Sequence, residues 1–470
     1  MDPAARDPRL RAVFIVFLAV ALALRIIGAR GELWLDEIWS LHLIDEMRSG
    51  EALSALATDN NHYLNTLYLW LIGPDAPPLA LRALSVLLGA AGVAAAGWLQ
   101  RSRGPATVAI TMALLAACYP MVNIGSEARG YAGMLLCALV SIALADRALE
   151  ERSARLGLWL GISNVVGVLF QPLMVGMIGS LGLWTLWVTW REQRSLRAVY
   201  ETTRDLFAWT IRLLIPVVLV LGIAVHYGSG YVLGVVAPFS GARMLEGIGE
   251  LFRFLIGLPE ASPIALVIAV VLAMVAIAAA FLRRDRRLAL YVIVVIVMPA
   301  AMALAQLPNT LFPRYYLLPG LAFLLLLGDL LGALWARTGV LRTAAVVALL
   351  AFVIGNGLEL AKFYAKGRGN VTEMLGVIAR DGPGPITSNT DQRDRIVIGY
   401  FQRRVGTDAD FVAYADVCAT HPRWMLTSDF HPDMPDETVI GDCRLALHKE
   451  AHYAAWGLSG VSWTLYRAEQ

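Results

Sequence analysis

At 470 residues, 58% hydrophobic and 16% charged, with a mean hydropathy of +0.61, the chain is too apolar for a soluble globular protein and reads as a polytopic membrane protein. The formal net charge of +2 conceals an uneven distribution, with arginines gathered in short loops between apolar runs. That is a topology signal; no nucleic acid is expected as a partner.

Arg6, Arg9 and Arg11 precede an apolar run that reaches Gly28. A charged start and an apolar stretch also describe a cleaved signal peptide. Here the run spans roughly 18 residues, carries Arg25 near its end and has no small-x-small site before Trp34. It is therefore read as a membrane helix with its N-terminus in the cytoplasm. Directly after it comes Gly31-Glu32-Leu33-Trp34-Leu35-Asp36-Glu37-Ile38-Trp39-Ser40. Two adjacent carboxylates so near hydrocarbon cost free energy unless something uses them. Within the outer loop 31–78, Ile38, Leu41, Ile44 and Met47 recur every three residues and predict a helix lying flat on the membrane. A second amphipathic piece from Asn61 to Trp70 is ended by Pro74, Pro77 and Pro78.

Further spans are predicted over 79–99, 105–123, 129–146, 156–170, 172–190, 207–226, 262–282, 288–306, 315–335 and 340–361, eleven with the first. Every second loop is then basic: Arg101 and Arg103; Arg147, Arg152 and Arg155; Arg191, Arg194, Arg197 and Arg204; Arg283, Arg284, Arg286 and Arg287; Arg337 and Arg342. Splitting 156–190 at Gln171-Pro172 is what preserves this alternation. The outer loop 227–261 ends in helical spacing from Met244 to Leu255, which fits either a surface helix or a mobile lid.

After Lys362 the composition becomes that of a soluble protein, and Gly367, Gly369 and Asn370 mark a linker. The chain thus divides into a membrane catalytic domain, 1–363, and a small α/β domain, 364–470, outside the membrane. The latter has helix-like segments at 371–380 and 391–404 between strand-like runs. Cys118 and Cys137 lie in apolar runs; Cys418 and Cys443 lie in the polar segment, where a disulfide and two reduced thiols both remain open.

The outer ends of the spans collect polar groups: Asp36 and Glu37; Asp59, Asn60, Asn61 and His62; Arg82; Ser126-Glu127-Ala128-Arg129-Gly130-Tyr131; and Phe312-Pro313-Arg314-Tyr315-Tyr316. Three arginines and several carboxylates at one bilayer depth describe a site that binds an anion and moves a proton. Leu35-Asp36-Glu37, Asn60-Asn61-His62, Leu81-Arg82-Ala83-Leu84-Ser85, Ser126 to Tyr131 and Arg314-Tyr315, in that order and on one face, make the chain resemble the GT-C superfamily of membrane glycosyltransferases. The resemblance is to bacterial relatives of protein O-mannosyltransferases and of lipid A aminoarabinose transferases, and it covers about the first 330 residues.

The resemblance implies transfer of a sugar from a polyprenyl-phosphate carrier to an envelope acceptor (lipid, glycan or protein) at a bacterial inner membrane, with the soluble domain in the periplasm. Asp36 would be the base of an inverting displacement, with Glu37 orienting Asp36 or a neighbouring group. Arg129, then Arg314, then Arg82 would hold the donor phosphate. Asp59, Asn60, His62, Glu127, Tyr131 and Tyr315 complete the expected substrate-binding set. Other readings stay open beside these. Asp36-Glu37 fits a solvated loop or helix cap, and Arg82 and Arg129 fit structural pairs with Glu37 or Glu127. His62 with Asp59 and Asp36 is a poor divalent-metal signature, so no cofactor is expected. Asp329 reads as a paired structural acid. A transporter or flippase for a lipid-linked sugar is the alternative function, although no internal repeat supports it.

Overall fold

The computed structural model describes residues 8–50, 56–58, 60, 62–151, 153–228, 237–258, 267, 271, 274–275, 285–382, 384–406, 409–429 and 434–469. The membrane part is a helical bundle. Its first half comprises α1 (Pro8–Gly28), α2 (Leu35–Ser49), α3 (Tyr63–Ile72), α4 (Pro78–Leu99), α5 (Pro105–Ala117), α6 (Tyr119–Ile124) and α7 (Tyr131–Glu151). Next come α8 (Ala154–Phe170), α9 (Met174–Gln193), α10 (Leu196–Tyr227), α11 (Gly241–Ile256), α12 (Arg286–Leu304), α13 (Leu317–Trp335) and α14 (Val340–Lys366).

Among the described residues, seven helices are long and apolar enough to cross a membrane, and α3, α5 and α8 are shorter apolar helices. Ten of the eleven predicted spans coincide with helices. The span predicted at 262–282 lies almost wholly outside the described residues. The span predicted at 105–123 breaks at Cys118, which is extended, and Pro120 opens the short α6.

Helix α13 runs through the centre. It is apolar all round and buried along most of its length, the signature of a helix enclosed by others. Gly328 and Gly332, one turn apart, let it approach α5 so closely that an added Cβ at either would lie 2.2 Å from Thr111 Oγ1 or Thr107 Oγ1. Helix α11, a surface helix or lid by its sequence, packs one face on the bundle and leaves Leu245 and Glu246 exposed. Met244, Gly247, Leu251, Phe252 and Leu255 are buried. Phe252 meets Phe323 of α13 edge to face at 5.0 Å.

After α14 come α15 (Val371–Asp381), β1 (Ile386–Ser388), α16 (Asp391–Val405), β2 (Trp424–Asp429), β3 (Glu437–Ile440), β4 (Leu445–Tyr453) and β5 (Ser462–Ala468). They form a five-stranded sheet ordered β1-β2-β5-β4-β3. β1 and β2 are parallel through the α16 crossover, and the remaining pairs are antiparallel. Cys418 and Cys443 form a disulfide.

The domain is fastened to the bundle at two places. The Glu32 carboxylate accepts the N–H groups of Val371 and Thr372 at 2.6 and 3.1 Å, capping α15 from the membrane side. The β4–β5 connection plugs into the bundle. Trp456 Nε1 donates to Glu359 at 3.1 Å, the Leu458 N–H to Tyr119 Oη at 3.0 Å, and Ser459 Oγ to Asn123 Oδ1 at 2.6 Å.

The apolar stripe of α2 does not face lipid as predicted. Ile38, Leu41 and Ile44 are buried in one cluster with Leu375, Ile398 and Phe401 of the soluble domain. A periodic stripe demands a cover but does not say which.

Candidate active site

The site begins at the first turn of α2. Trp34 precedes it in extended conformation, and Glu37 Oε2 accepts the Trp34 N–H at 3.2 Å, the reciprocal half of a capping box. Successive helical residues diverge by about 100°. Asp36 and Glu37, adjacent in sequence, therefore face different surroundings.

Glu37 turns inward, where it and Arg82 are fully buried. Arg82 donates from Nε to Oε1 at 2.7 Å and from Nη2 to Oε2 at 2.5 Å, and Oε1 also accepts the Ala128 N–H at 2.7 Å. Burial pushes the Glu37 carboxyl up, but the bidentate Arg82 outweighs it and holds the pKa below the usual carboxylate range. Arg82 spends its remaining donors on the carbonyls of Ala29, Gly31 and Glu32 at 3.0, 3.1 and 2.8 Å. With these contacts the Arg82 guanidinium is saturated, and Arg82 does not line the cavity. Glu37 holds neighbouring groups, the Arg82 guanidinium and the Ala128 N–H.

Asp36 turns toward a cavity of about 1070 Å³. Its Oδ2 lies 2.8 Å from Arg129 Nη1 and 2.9 Å from Arg314 Nη1. All three residues line the cavity, with Trp34, Asn60, Tyr131 and Tyr315. Arg129 is held by several partners. It donates from Nη2 to Asn60 Oδ1 at 2.9 Å and from Nε to His62 Nε2 at 3.2 Å, and its guanidinium lies 4.9 Å from the Tyr131 ring centre.

His62 is buried behind Arg129 with Nδ1 3.1 Å from the Phe170 carbonyl. Nδ1 therefore carries the proton and Nε2 accepts. Burial, and after it Arg129, holds the His62 pKa well below that of an ordinary histidine. Gly130 makes this approach feasible, since a Cβ there would lie 1.9 Å from the Phe170 oxygen.

Asn60 also donates to the Asp36 carbonyl at 3.0 Å. Glu127 is fully buried outside the cavity; Ser459 Oγ donates to it, and Arg368 Nε stands 3.7 Å away. Burial raises its pKa against the pull of Arg368 and Arg129. Asp59 lies outside the described residues.

From this polar end the cavity continues between two apolar walls. Val175, Gly176, Gly179 and Leu183 of α9 form one, and Val297, Met298, Ala301 and Met302 of α12 the other. From Val175 to Leu183 the groove descends roughly 12 Å along the helix. A wide π turn at Ile293–Val297 sits where α12 borders it. The opposite wall comes from the soluble domain: Thr390, Asp391, Gln392 and Arg393, with Val461. These residues were missed in the sequence because nothing local says where that domain docks. Gln171 and Pro172, recognised there as a helix break, also line the cavity.

Asp36 already faces two guanidinium groups, and both His62 nitrogens are committed. No cluster of three or more His, Cys, Asp or Glu able to hold a metal exists among the described residues.

No protein-family model matches the sequence, and no curated protein matches it. Solved structures do match its fold. ArnT from Cupriavidus metallidurans, in the apo state, aligns with a TM-score of 0.53 at 12% identity, covering 96% of this chain and 97% of that one. The Archaeoglobus fulgidus oligosaccharyltransferase, in complex with Zn and sulfate, aligns with a TM-score of 0.53 at 10% identity, covering 88% of this chain and 68% of that one. These likenesses show a shared fold: a helical membrane bundle with a small C-terminal sheet domain.

Proposed function

We propose that this chain is an inverting membrane glycosyltransferase that moves a sugar from a polyprenyl-phosphate donor to an envelope acceptor, with Asp36 as the base. One observation carries the reading: a carboxylate bridged by two arginines stands where a polar, tryptophan-lined chamber meets a membrane-level apolar groove. The groove suits an isoprenoid tail and the arginines suit the phosphate at its head. The fold shared with ArnT and with an oligosaccharyltransferase supports the same class of chemistry.

In the resting site Arg129 and Arg314 neutralise Asp36. A donor phosphate entering from the groove competes for both guanidinium groups and frees Oδ2 to accept a proton. An acceptor hydroxyl then attacks the anomeric carbon from the face opposite the phosphate. The new C–O bond forms as the bond to the phosphate oxygen breaks, the hydroxyl proton passes to Asp36, and the leaving lipid phosphate keeps the electron pair. Asn60, His62 and Tyr131 hold Arg129 in line, and Tyr315 follows Arg314 along the chamber wall. Asp59 remains a proposed member of the set.

The disulfide Cys418–Cys443 favours an oxidising compartment for the soluble domain. Because that domain walls the site, the disulfide supports a reaction at the periplasmic face of a bacterial inner membrane.

The test is release of free polyprenyl phosphate from a panel of polyprenyl-phosphate sugars with an envelope extract, comparing wild type with Asp36→Asn. Asp36-dependent release with one donor is the expected outcome and names the sugar. Equal release by both proteins would remove Asp36 as the base. Release by neither would turn attention to transport of the lipid-linked sugar.

A further inference from the structure

The two helices that present Asp36 and Arg393 to the first cavity also line a second one. It measures about 840 Å³ and is bounded by Ile38, Leu41, His42, Asp45 and Arg48 of α2, by α16 from Arg395 to Arg404, and by Pro74 and Asp75 after α3. Nothing in the reaction above uses it.

Among the described residues that line it, arginines are in excess. Arg48, Arg395, Arg403 and Arg404 face Asp45 and Asp75, and the other titratable groups among them are Tyr400 and His42, the latter 3.4 Å from Glu46. The contacts recorded for the arginines go to neutral groups. Arg48 Nη2 donates to the Trp70 carbonyl at 3.2 Å, Arg403 Nε to that of Gly399 at 3.3 Å, and Arg404 Nη2 to that of Pro74 at 3.0 Å. Arg395 lies over Phe411 and Arg404 over Tyr400, at 4.9 and 4.3 Å.

The location selects the ligand. Helix α3 exposes Leu67, Trp70, Leu71 and Ile72, a surface suited to acyl chains and the interfacial region. The same helix end leads into Pro74 and Asp75 at the cavity rim. Arginine forks opening at that depth meet phosphates attached to lipid.

We propose that this second cavity binds the phosphate of an anionic lipid headgroup in the leaflet on the soluble-domain side. The arginines take the phosphate oxygens. The bound lipid thereby ties α16, and with it the wall carrying Arg393, to the membrane surface beside α2. This inference is independent of the sugar-transfer reading.

The probe is short-chain phosphatidylglycerol titrated into the full-length protein in neutral detergent, with short-chain phosphatidylcholine and free glycerol phosphate as comparisons. Phosphatidylglycerol should bind at least tenfold more tightly than either, a difference of about one charge-assisted hydrogen bond or more. Arg403→Gln with Arg404→Gln should lower its affinity about tenfold or more. Equal binding of phosphatidylcholine would overturn the proposal, as would variants that bind like wild type. Glycerol phosphate binding as tightly as the lipid would overturn the lipid as the source. Because every readout is binding, failure here leaves the Asp36 test untouched, and the converse holds.

Discussion

The two ends of the bundle carry similar residues in opposite conditions. At the end away from the soluble domain, Arg103 bridges Asp285 at 2.6 Å and Asp329 at 3.2 Å, while Arg286 and Arg287 reach Asp146 at 2.8 and 2.6 Å. Those groups pair acids with bases and none lines the large cavity. At the other end Asp36 is shared by two arginines on the wall of about 1070 Å³ of open space. Ion pairing alone therefore does not mark a site; excess cation beside room for an anion does.

The sharpest way to break this contrast is Asp36→Asn. It should leave the protein folded and lower transfer about a thousandfold, measured as polyprenyl phosphate released per folded molecule. Full activity in the variant would make the outer end as structural as the inner one. Arg129→Gln and Arg314→Gln should each lower kcat by about a hundredfold, since each removes a donor to the developing phosphate charge. Arg287→Gln at the inner end should change melting temperature and leave kcat of the folded fraction alone.

The contrast recurs within α2 itself. Glu37→Gln leaves Arg82 buried without its counter-charge and should destabilise the protein by about 3 kcal/mol, read as a fall in melting temperature. Activity per folded molecule should change far less than in Asp36→Asn.

A smaller effect follows from His62. Its pKa in the folded protein lies below the value of about 6.5 expected unfolded. As pH falls through that value, the unfolded chain takes up a proton that folded His62 refuses. Stability should therefore drop on acidification until the folded pKa is reached. The fall in melting temperature between about pH 7.5 and 5.5 should be shallower in His62→Gln, which keeps an amide near the same partners. An unchanged slope would show that His62 does not contribute. Ser459→Ala should have the least effect, about 1 kcal/mol or less from one lost contact of the plug, read as easier proteolysis at the linker after α14.

Much of the fold could be read from local pattern. Apolar runs long enough to span, arginine-rich alternate loops and the change of composition after Lys362 follow from the cost of placing charge and unpaired backbone in hydrocarbon. That physics acts residue by residue and needs no partner. The same cost marked Asp36, Glu37, Arg82, Arg129 and Arg314 as groups requiring a purpose.

Which purpose each received depended on the tertiary structure. Asp36 and Glu37 are neighbours in the chain, yet a turn of about 100° sends one to the cavity and the other to Arg82. The stripe of Ile38, Leu41 and Ile44 announced a covered face, but only packing chose the soluble domain over lipid. Cys418 and Cys443, equivocal in the sequence, meet because the fold brings β3 and β4 beside the segment that carries Cys418. The wall from Thr390 to Arg393 had no local signal at all. Its place depends on Glu32 capping α15 and on the plug reaching Tyr119 and Asn123, contacts between residues more than three hundred positions apart. Local sequence fixes the cost of leaving a group unsatisfied; long-range geometry decides which partner satisfies it.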